Sequence, residues 1–302
     1  PLYSSAASDV YKRQGKVAIS ADSVSLAQEK AREYGFTLIP CPIIMDGKQY
    51  LDTEIDIDKL YTRLDTKENL PKTSTANVEE FLRFFTELSQ GAEAVLHICM
   101  SSVFSPQYFN ALKAKEVAGK KLPGARIEVV DSRAIGMGVH FLAIVAAKAV
   151  AQGKNIDEVL GLVHRLIPRV TVLAARDTLF YYDKGGRIFE ARTWAEAESA
   201  SSFRSIVEVD ASTGGTVKPV ARAKTVAQIM DKLVEITKER SDGNKLHGAI
   251  GYTRGAADRA EKLRDMLLSE LEFDWLYVAE EGASVVVHNG KGLIDYTFCS
   301  RA

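Results

Sequence analysis

The feature that most restricts the fold of this chain is a short apolar run that ends abruptly in hydroxyls. Ala94 to Met100 is too short for a helix buried on every face, and it stops at Ser101 and Ser102 before a helix-like segment begins. Such a run reads as a buried strand that delivers polar groups to its own carboxyl edge. In open α/β sheets ligands bind outside those edges, so the serine pair is either a binding element or the cap of the following helix.

The same pattern recurs along the first half. Val17 to Ser20 runs into Ala21, Asp22 and Ser23, and helical spacing follows through Leu26, Ala27, Lys30 and Ala31. Ile127 to Val130 ends at Asp131 and Ser132. Three β-α units within about 120 residues predict a mainly parallel sheet with helices on both faces. Between the units, Phe36 to Met45 is β-rich, meets Asp46-Gly47 and resumes at Gln49 to Leu51, which predicts a hairpin; Pro40 and Pro42 point to an edge position. Asp58 opens a helix with Leu60, Tyr61 and Leu64 on one face. Asn77 and Glu80 have capping-box spacing ahead of the stripe Phe81, Phe84, Phe85 and Leu88. Thr73, Ser74 and Thr75 therefore precede a helix N-terminus, where free N–H groups and the macrodipole suit a carboxylate or phosphate. A polar turn with no ligand satisfies the same pattern.

Composition narrows the class. With 302 residues and 46% hydrophobic content the chain can bury two ordinary cores, and 39 Lys and Arg against 40 Asp and Glu argue against nucleic acid or an anionic membrane as the main partner. Val139 to Ala151 is shorter than a membrane span and carries Lys148, so it reads as a buried helix and no segment reads as a membrane span. Cys41, Cys99 and Cys299 are far apart, and the five histidines form no HxxxH or HExxH pattern; neither a disulfide framework nor a metal site is expected, and a cytoplasmic setting fits. Residues 1–14 lack the apolar core of a signal peptide and read as a leader outside the domains.

After a helix over Ile156 to Leu166 comes a strand at Val170 to Ala175, and then DTLFYYDKGGRI places Arg187 directly behind Gly185-Gly186, where a guanidinium can fork onto a carboxylate or phosphate. Ser205 to Val209 and Thr216 to Ala221 predict a hairpin. A helix around Leu233, a strand at Gly248 to Thr253, a helix around Leu263 and a strand at Phe273 to Ala279 follow. Ala283 to Val287 reads as a last apolar strand running into His288-Asn289-Gly290-Lys291-Gly292. The expected organisation is an N-terminal α/β domain over 15–165, mainly parallel with flanking helices, and a C-terminal mixed α/β domain over 166–302 that contains the hairpin.

Six motifs in this order resemble the DegV family of bacterial fatty-acid-binding proteins, from about Lys16 to the C-terminus. They are Asp22-Ser23, Pro71-Lys72-Thr73-Ser74, Ser101-Ser102 with Ser105, Val130-Asp131-Ser132, Lys184-Gly185-Gly186-Arg187-Ile188 and Val287-His288-Asn289-Gly290. The resemblance implies one long-chain fatty acid held in an apolar tunnel, with no other cofactor and with the carboxylate at the domain interface. By position, Thr73 and Ser102 match the hydroxyls that bond that carboxylate. Arg187 and His288 match the basic residues near the head group, with Ser74 and Ser101 beside them and Asp22 and Ser23 at the early strand end. It further implies a lipid carrier, not catalytic alone, that presents the acid to a separate fatty acid kinase for acyl-phosphate formation. The chain departs from the family pattern at Pro106-Gln107, where Gly-Thr is usual, and at Asn289-Gly290-Lys291-Gly292, where Thr-Gly-Pro-Gly is usual; the usual Lys-Pro pattern is also missing between Glu190 and Arg204.

Two other functions compete. A serine hydrolase would use Ser102 as nucleophile, His288 as base and Asp22 or Asp131 as orienter, although no GxSxG elbow surrounds Ser102. A nucleotide enzyme would need GxGxxG or GxxxxGK[ST] after a strand, and neither occurs. For His97 and Cys99, in the run Ala94 to Met100, and for Trp194 and Trp275, core packing is the expected role.

Overall fold

The computed structural model describes residues 17–25, 28–122, 124–198 and 203–300; residues 1–14, expected to be a leader, and Leu26 and Ala27, expected in a helix, lie outside the described residues. Its first seven strands are β1 (Val17–Asp22), β2 (Thr37–Ile39), β3 (Pro42–Met45), β4 (Lys48–Leu51), β5 (Lys72–Thr73), β6 (Ala94–Cys99) and β7 (Arg126–Asp131). Four of them form a wholly parallel sheet in the order β2-β1-β6-β7. Side chains alternate between two cores. Val17, Ile19, Ala21, Leu96 and Ile98 pack with the helices Met137–Ala151 and Ile156–Leu166, whereas Ala18, Val95, Cys99 and Ile127 pack with the helices Val78–Ser89 and Gln107–Lys121. Burial on both faces is why these strands read as unbroken apolar runs.

The other three strands form a small antiparallel sheet, β4-β3-β5, with Asp46 and Gly47 at positive φ in its hairpin turn. Contrary to the expectation from its prolines, β3 is the central strand. Pro42 stands at its first residue, where a missing N–H costs little, and its carbonyl still accepts from Ser74 N at 2.7 Å. The helix after it begins at Ile57, one residue ahead of Asp58, and is capped by Asp56.

A second sheet is built from β8 (Thr171–Arg176), β9 (Arg204–Glu208), β10 (Lys218–Ala223), β11 (Leu246–Tyr252), β12 (Phe273–Glu280) and β13 (Ile294–Ser300), in the order β10-β9-β8-β13-β11-β12. Only β11 and β12 run parallel, so the sheet is mixed, and β9 with β10 is the expected hairpin. The helices Val226–Ser241 and Ala257–Glu270 cover one face over Leu173, Ile206, Ile250 and Tyr296. On the opposite face, Val172, Ala249 and Cys299 join the core of the helix Met137–Ala151. This helix therefore lies between the two sheets, and Val139, Phe141, Ala143, Ile144 and Ala146 are fully buried. A helix that is apolar all round has no stable position except one wrapped on every side.

Two readings near the C-terminus are corrected. The run Ala283–Asn289 is a helix and not a strand: its Ala283, Val286 and Val287 close over Ile43, Leu60, Leu64 and Tyr181. A short apolar run carries no periodicity that separates the two, and burial decided. The last strand is β13, which the sequence reading passed over although Ile294, Tyr296 and Phe298 alternate with Asp295, Thr297 and Cys299. No helix among the described residues is long and apolar enough to cross a membrane.

The expected capping box is present: Asn77 Oδ1 accepts from Glu79 N and Glu80 N at 2.9 and 3.0 Å, and Glu80 Oε2 accepts from Asn77 N at 2.7 Å. Replacing Asn77 by Ala should cost about 1 kcal/mol. Phe85→Ala, at a fully buried position in the same helix, should cost about 3–5 kcal/mol. Thermal or urea unfolding of the two variants checks the ordering, and a loss in Asn77→Ala as large as that in Phe85→Ala would mean that the cap holds the helix as strongly as the stripe does.

Candidate functional site

A cavity of about 60 Å³ lies where the small sheet, the loop after β6, β8 and the helix Ala283–Asn289 meet. Much of its wall is apolar: Val24, Met100, Phe104, Ile135, Val285 and Leu293. Polar groups from four segments make one cluster in it.

Thr73 comes from β5 and Ser74 from the residue beyond, held in place because β5 pairs with β3. His288 comes from the last turn of the helix Ala283–Asn289, and its Nε2 is 2.8 Å from Thr73 Oγ1. Burial, and then the nearby Arg187 guanidinium, push the His288 pKa down to about 3, so the ring is neutral at physiological pH. Its partial exposure faces the cavity. Arg187 follows Gly185-Gly186, as the sequence suggested. A Cβ on Gly185 would stand 3.0 Å from His288 Nδ1 and from the Tyr181 carbonyl, so only glycine lets the imidazole come this close. Arg187 donates from Nη1 to the Gly185 carbonyl at 2.9 Å and from Nε to the Phe104 carbonyl at 3.3 Å, which aims the guanidinium along the cavity wall. Ser105 completes this group.

The other expected site residues serve the frame. Ser102 Oγ donates to Asp131 Oδ2 at 2.6 Å, and Ser101 Oγ donates to the Gly215 carbonyl at 2.9 Å; neither side chain lines the cavity. Nor do they cap the next helix, which begins only at Gln107 behind Pro106. Asp22 Oδ2 accepts from Met100 N at 2.8 Å and Oδ1 accepts from Gln107 Nε2 at 2.9 Å, so it ties the ends of β1 and β6 together. Gln107, at a departure from the family pattern, also accepts from Ala76 N at 3.1 Å and thereby steadies the loop that carries Thr73 and Ser74. Asp22, His97 and Cys99 bring possible ligand atoms within 4.8 Å of one another, but the Asp22 oxygens are taken by these donors. His97 is fully buried with Phe81 and Phe85 against its ring.

Sequence reading missed a second frame built on Asp52. Ser23 Oγ donates to it at 2.7 Å, Cys41 N donates at 3.0 Å, and Ser284 Oγ also donates, which ties the strand end at Ser23 to the helix that carries His288. Burial raises the Asp52 carboxyl to about 7. Nothing in the spacing of Ser23, Asp52 and Ser284 could have signalled this, since they are brought together only by the fold.

The triad that the rival hydrolase reading needs is not assembled: Ser102 bonds Asp131, His288 bonds Thr73, and Asp22 bonds backbone and amide donors.

Comparison with known proteins agrees with this architecture. The family model described as "Uncharacterised protein, DegV family" matches residues 16–301, and the chain belongs to the DegV family. A DegV domain-containing protein of Streptococcus pyogenes serotype M1 is 30% identical over 281 residues, covering 91% of this chain and 95% of the relative. One from Clostridium perfringens is 26% identical over 278 residues, with the same coverage of each chain. Among solved structures, a DegV family protein from Thermus thermophilus, described by its fatty acid binding, superimposes with a TM-score of 0.84 at 23% identity, covering 95% of this chain and all of the other. DegV of Bacillus subtilis, described as a fatty acid binding protein, gives a TM-score of 0.78 at 21% identity, covering 95% and 99%.

The neutral imidazole has a measurable consequence. An unfolded histidine takes a proton near 6.5 and folded His288 only near 3, so acidification below 6.5 draws stability away from the folded state. In the ligand-free protein the NMR shift of the His288 ring should stay flat from about pH 8 to about pH 5. A midpoint near the ordinary histidine value would show that the ring is solvated.

Proposed function

We propose that this protein binds one long-chain fatty acid, with the carboxylate at Thr73, Ser74, Ser105, Arg187 and His288 and the acyl chain along the apolar wall. The observation that carries this reading is the convergence of hydroxyls, a neutral imidazole and a guanidinium on one cavity whose remaining wall is largely apolar. A single carboxylate needs a few donors, and Arg187 supplies the opposite charge. Burial of the chain contributes most of the affinity, at about 0.8 kcal/mol per CH₂. The polar groups set orientation. Ser102 serves this arrangement through Asp131, by shaping the loop that carries Phe104 and Ser105.

The protein acts as a carrier and not as an enzyme by itself. Its carboxylate is offered to a fatty acid kinase, which moves the γ-phosphoryl group of ATP onto a carboxylate oxygen to give acyl phosphate and ADP. Family membership supports this, as do two exposed apolar residues, Val103 and Phe189, on the segments that bring Phe104 and Arg187 to the cavity. Three buried free cysteines accord with the bacterial cytoplasm as its place.

Native mass spectrometry followed by lipid extraction should find one fatty acid per chain. Because hydrogen bonds to a charged group contribute about 1.5–3 kcal/mol, Thr73→Ala should weaken oleate or palmitate binding by roughly 10- to 150-fold. Ser102→Ala should have the smaller effect. A protein that carries no lipid and takes up neither acid would overturn the reading. For the kinase step, acyl phosphate trapped as a hydroxamate in the presence of a bacterial fatty acid kinase and ATP is the expected product.

A further inference from the structure

The carboxylate group of residues leaves part of the cavity wall without a role. Arg176, Asn289 and Asp295 line the same cavity, and each is at most 5% exposed. Buried donors and acceptors in native proteins almost always have partners. Here Arg176 Nε and Nη1 and Asn289 Oδ1 have none among the described residues, and Asp295 Oδ1 has only the Glu281 carboxyl beside it.

Each group is locally fixed. The Arg176 guanidinium lies 3.8 Å from the centre of the Tyr182 ring, which holds its plane. Asn289 Nδ2 donates to the Val285 carbonyl at 2.8 Å, so its Oδ1 is the free end of the amide. Asp295 Oδ2 accepts from Met137 N at 2.9 Å, which leaves Oδ1. The register of β8 against β13 pairs Ala174 with Asp295, and alternation then puts Ala174, Arg176 and Asp295 on one face of the sheet. The cavity is on that face.

Charge decides what could complete the set. Glu281 stands beside Asp295; burial raises both carboxyls and the Asp295 charge raises Glu281 further, so Glu281 keeps its proton against Asp295 and the pair carries one negative charge. That charge balances Arg176. A second carboxylate on the ligand would upset the balance, whereas a neutral oxygen would not. The unmatched atoms include both donors and acceptors, and a hydroxyl is the simplest neutral group that accepts and donates at once.

We propose that the ligand is a hydroxylated long-chain fatty acid, whose chain hydroxyl accepts from Arg176 and donates to Asn289 Oδ1. The proposal rests on the fatty-acid reading of the site. A plain saturated chain would leave these polar atoms buried against methylenes, and sites built to bond a hydroxyl discriminate strongly against analogues that lack it.

The test is displacement of a bound fluorescent fatty acid from the full chain by palmitic acid and by hydroxypalmitic acids whose hydroxyl is moved stepwise from the carboxyl end to the methyl end. One positional isomer should compete about tenfold or more better than palmitic acid. That ratio should fall to about twofold or less in Arg176→Met and, independently, in Asn289→Leu. If palmitic acid binds and no isomer exceeds it in the unaltered protein, the proposal fails while the fatty-acid reading stands. If the preferred isomer keeps its advantage in both variants, the hydroxyl is read elsewhere and the proposal also fails. If neither palmitic acid nor any isomer displaces the probe, both readings fail together.

Discussion

Burial of the helix Met137–Ala151 between two sheets is the interaction on which the rest of the structure depends. One side of it packs on β1 and β6, the other on Val172 and Cys299 of the second sheet. Because it has no polar face, neither sheet alone could cover it. Its wrapping brings the carboxyl ends of the first sheet against the second, and the cavity forms beside its N-terminus. There Gly136, at positive φ, approaches Asp295 more closely than any side chain would allow, and Met137 N donates to that carboxylate. The packing of the core and the polar wall of the cavity are thus joined at one residue.

The polar residues at this junction divide into a frame and a lining. Asp22, Gln107, Asp52, Ser23, Ser284 and the Ser102–Asp131 pair hold loop ends to one another. Thr73, Ser74, Ser105, Arg187 and His288 face the space they enclose. The division is physical: a carboxylate that already accepts several bonds is a poor partner for a carboxylate ligand, whereas hydroxyl and N–H donors on an apolar wall are suitable ones. Desolvation enforces the same division on His288, since a buried imidazole with Arg187 nearby stays neutral and can share a proton with Thr73 without adding charge.

Legibility followed the range of the interactions involved. The parallel strands, the Asn77 cap, the Asp46-Gly47 turn, the hairpin and the all-apolar helix were readable because each leaves a local pattern of period, cap or turn. The helix Ala283–Asn289 was not, since seven mostly apolar residues fit a strand equally well until Ile43 and Leu60 close over them. Strand β13 did show alternation, but it lies between β8 and β11 and its partners come from distant segments. The Ser101-Ser102 pair was correctly placed at a strand end, yet the direction of its hydroxyls depended on Asp131 and Gly215.

By itself the sequence determined the class of fold, most of its strands and helices and a set of polar segments at strand and helix ends, because alternation, capping and glycine placement act over a few residues. Only the tertiary structure decided which of those polar groups face the cavity, that Asp52 and Ser284 meet, and that Arg176 and Asn289 keep unmatched atoms on its wall. Those outcomes rest on contacts between residues tens to hundreds of positions apart, and hydrogen-bond direction and desolvation take their values only after such contacts form.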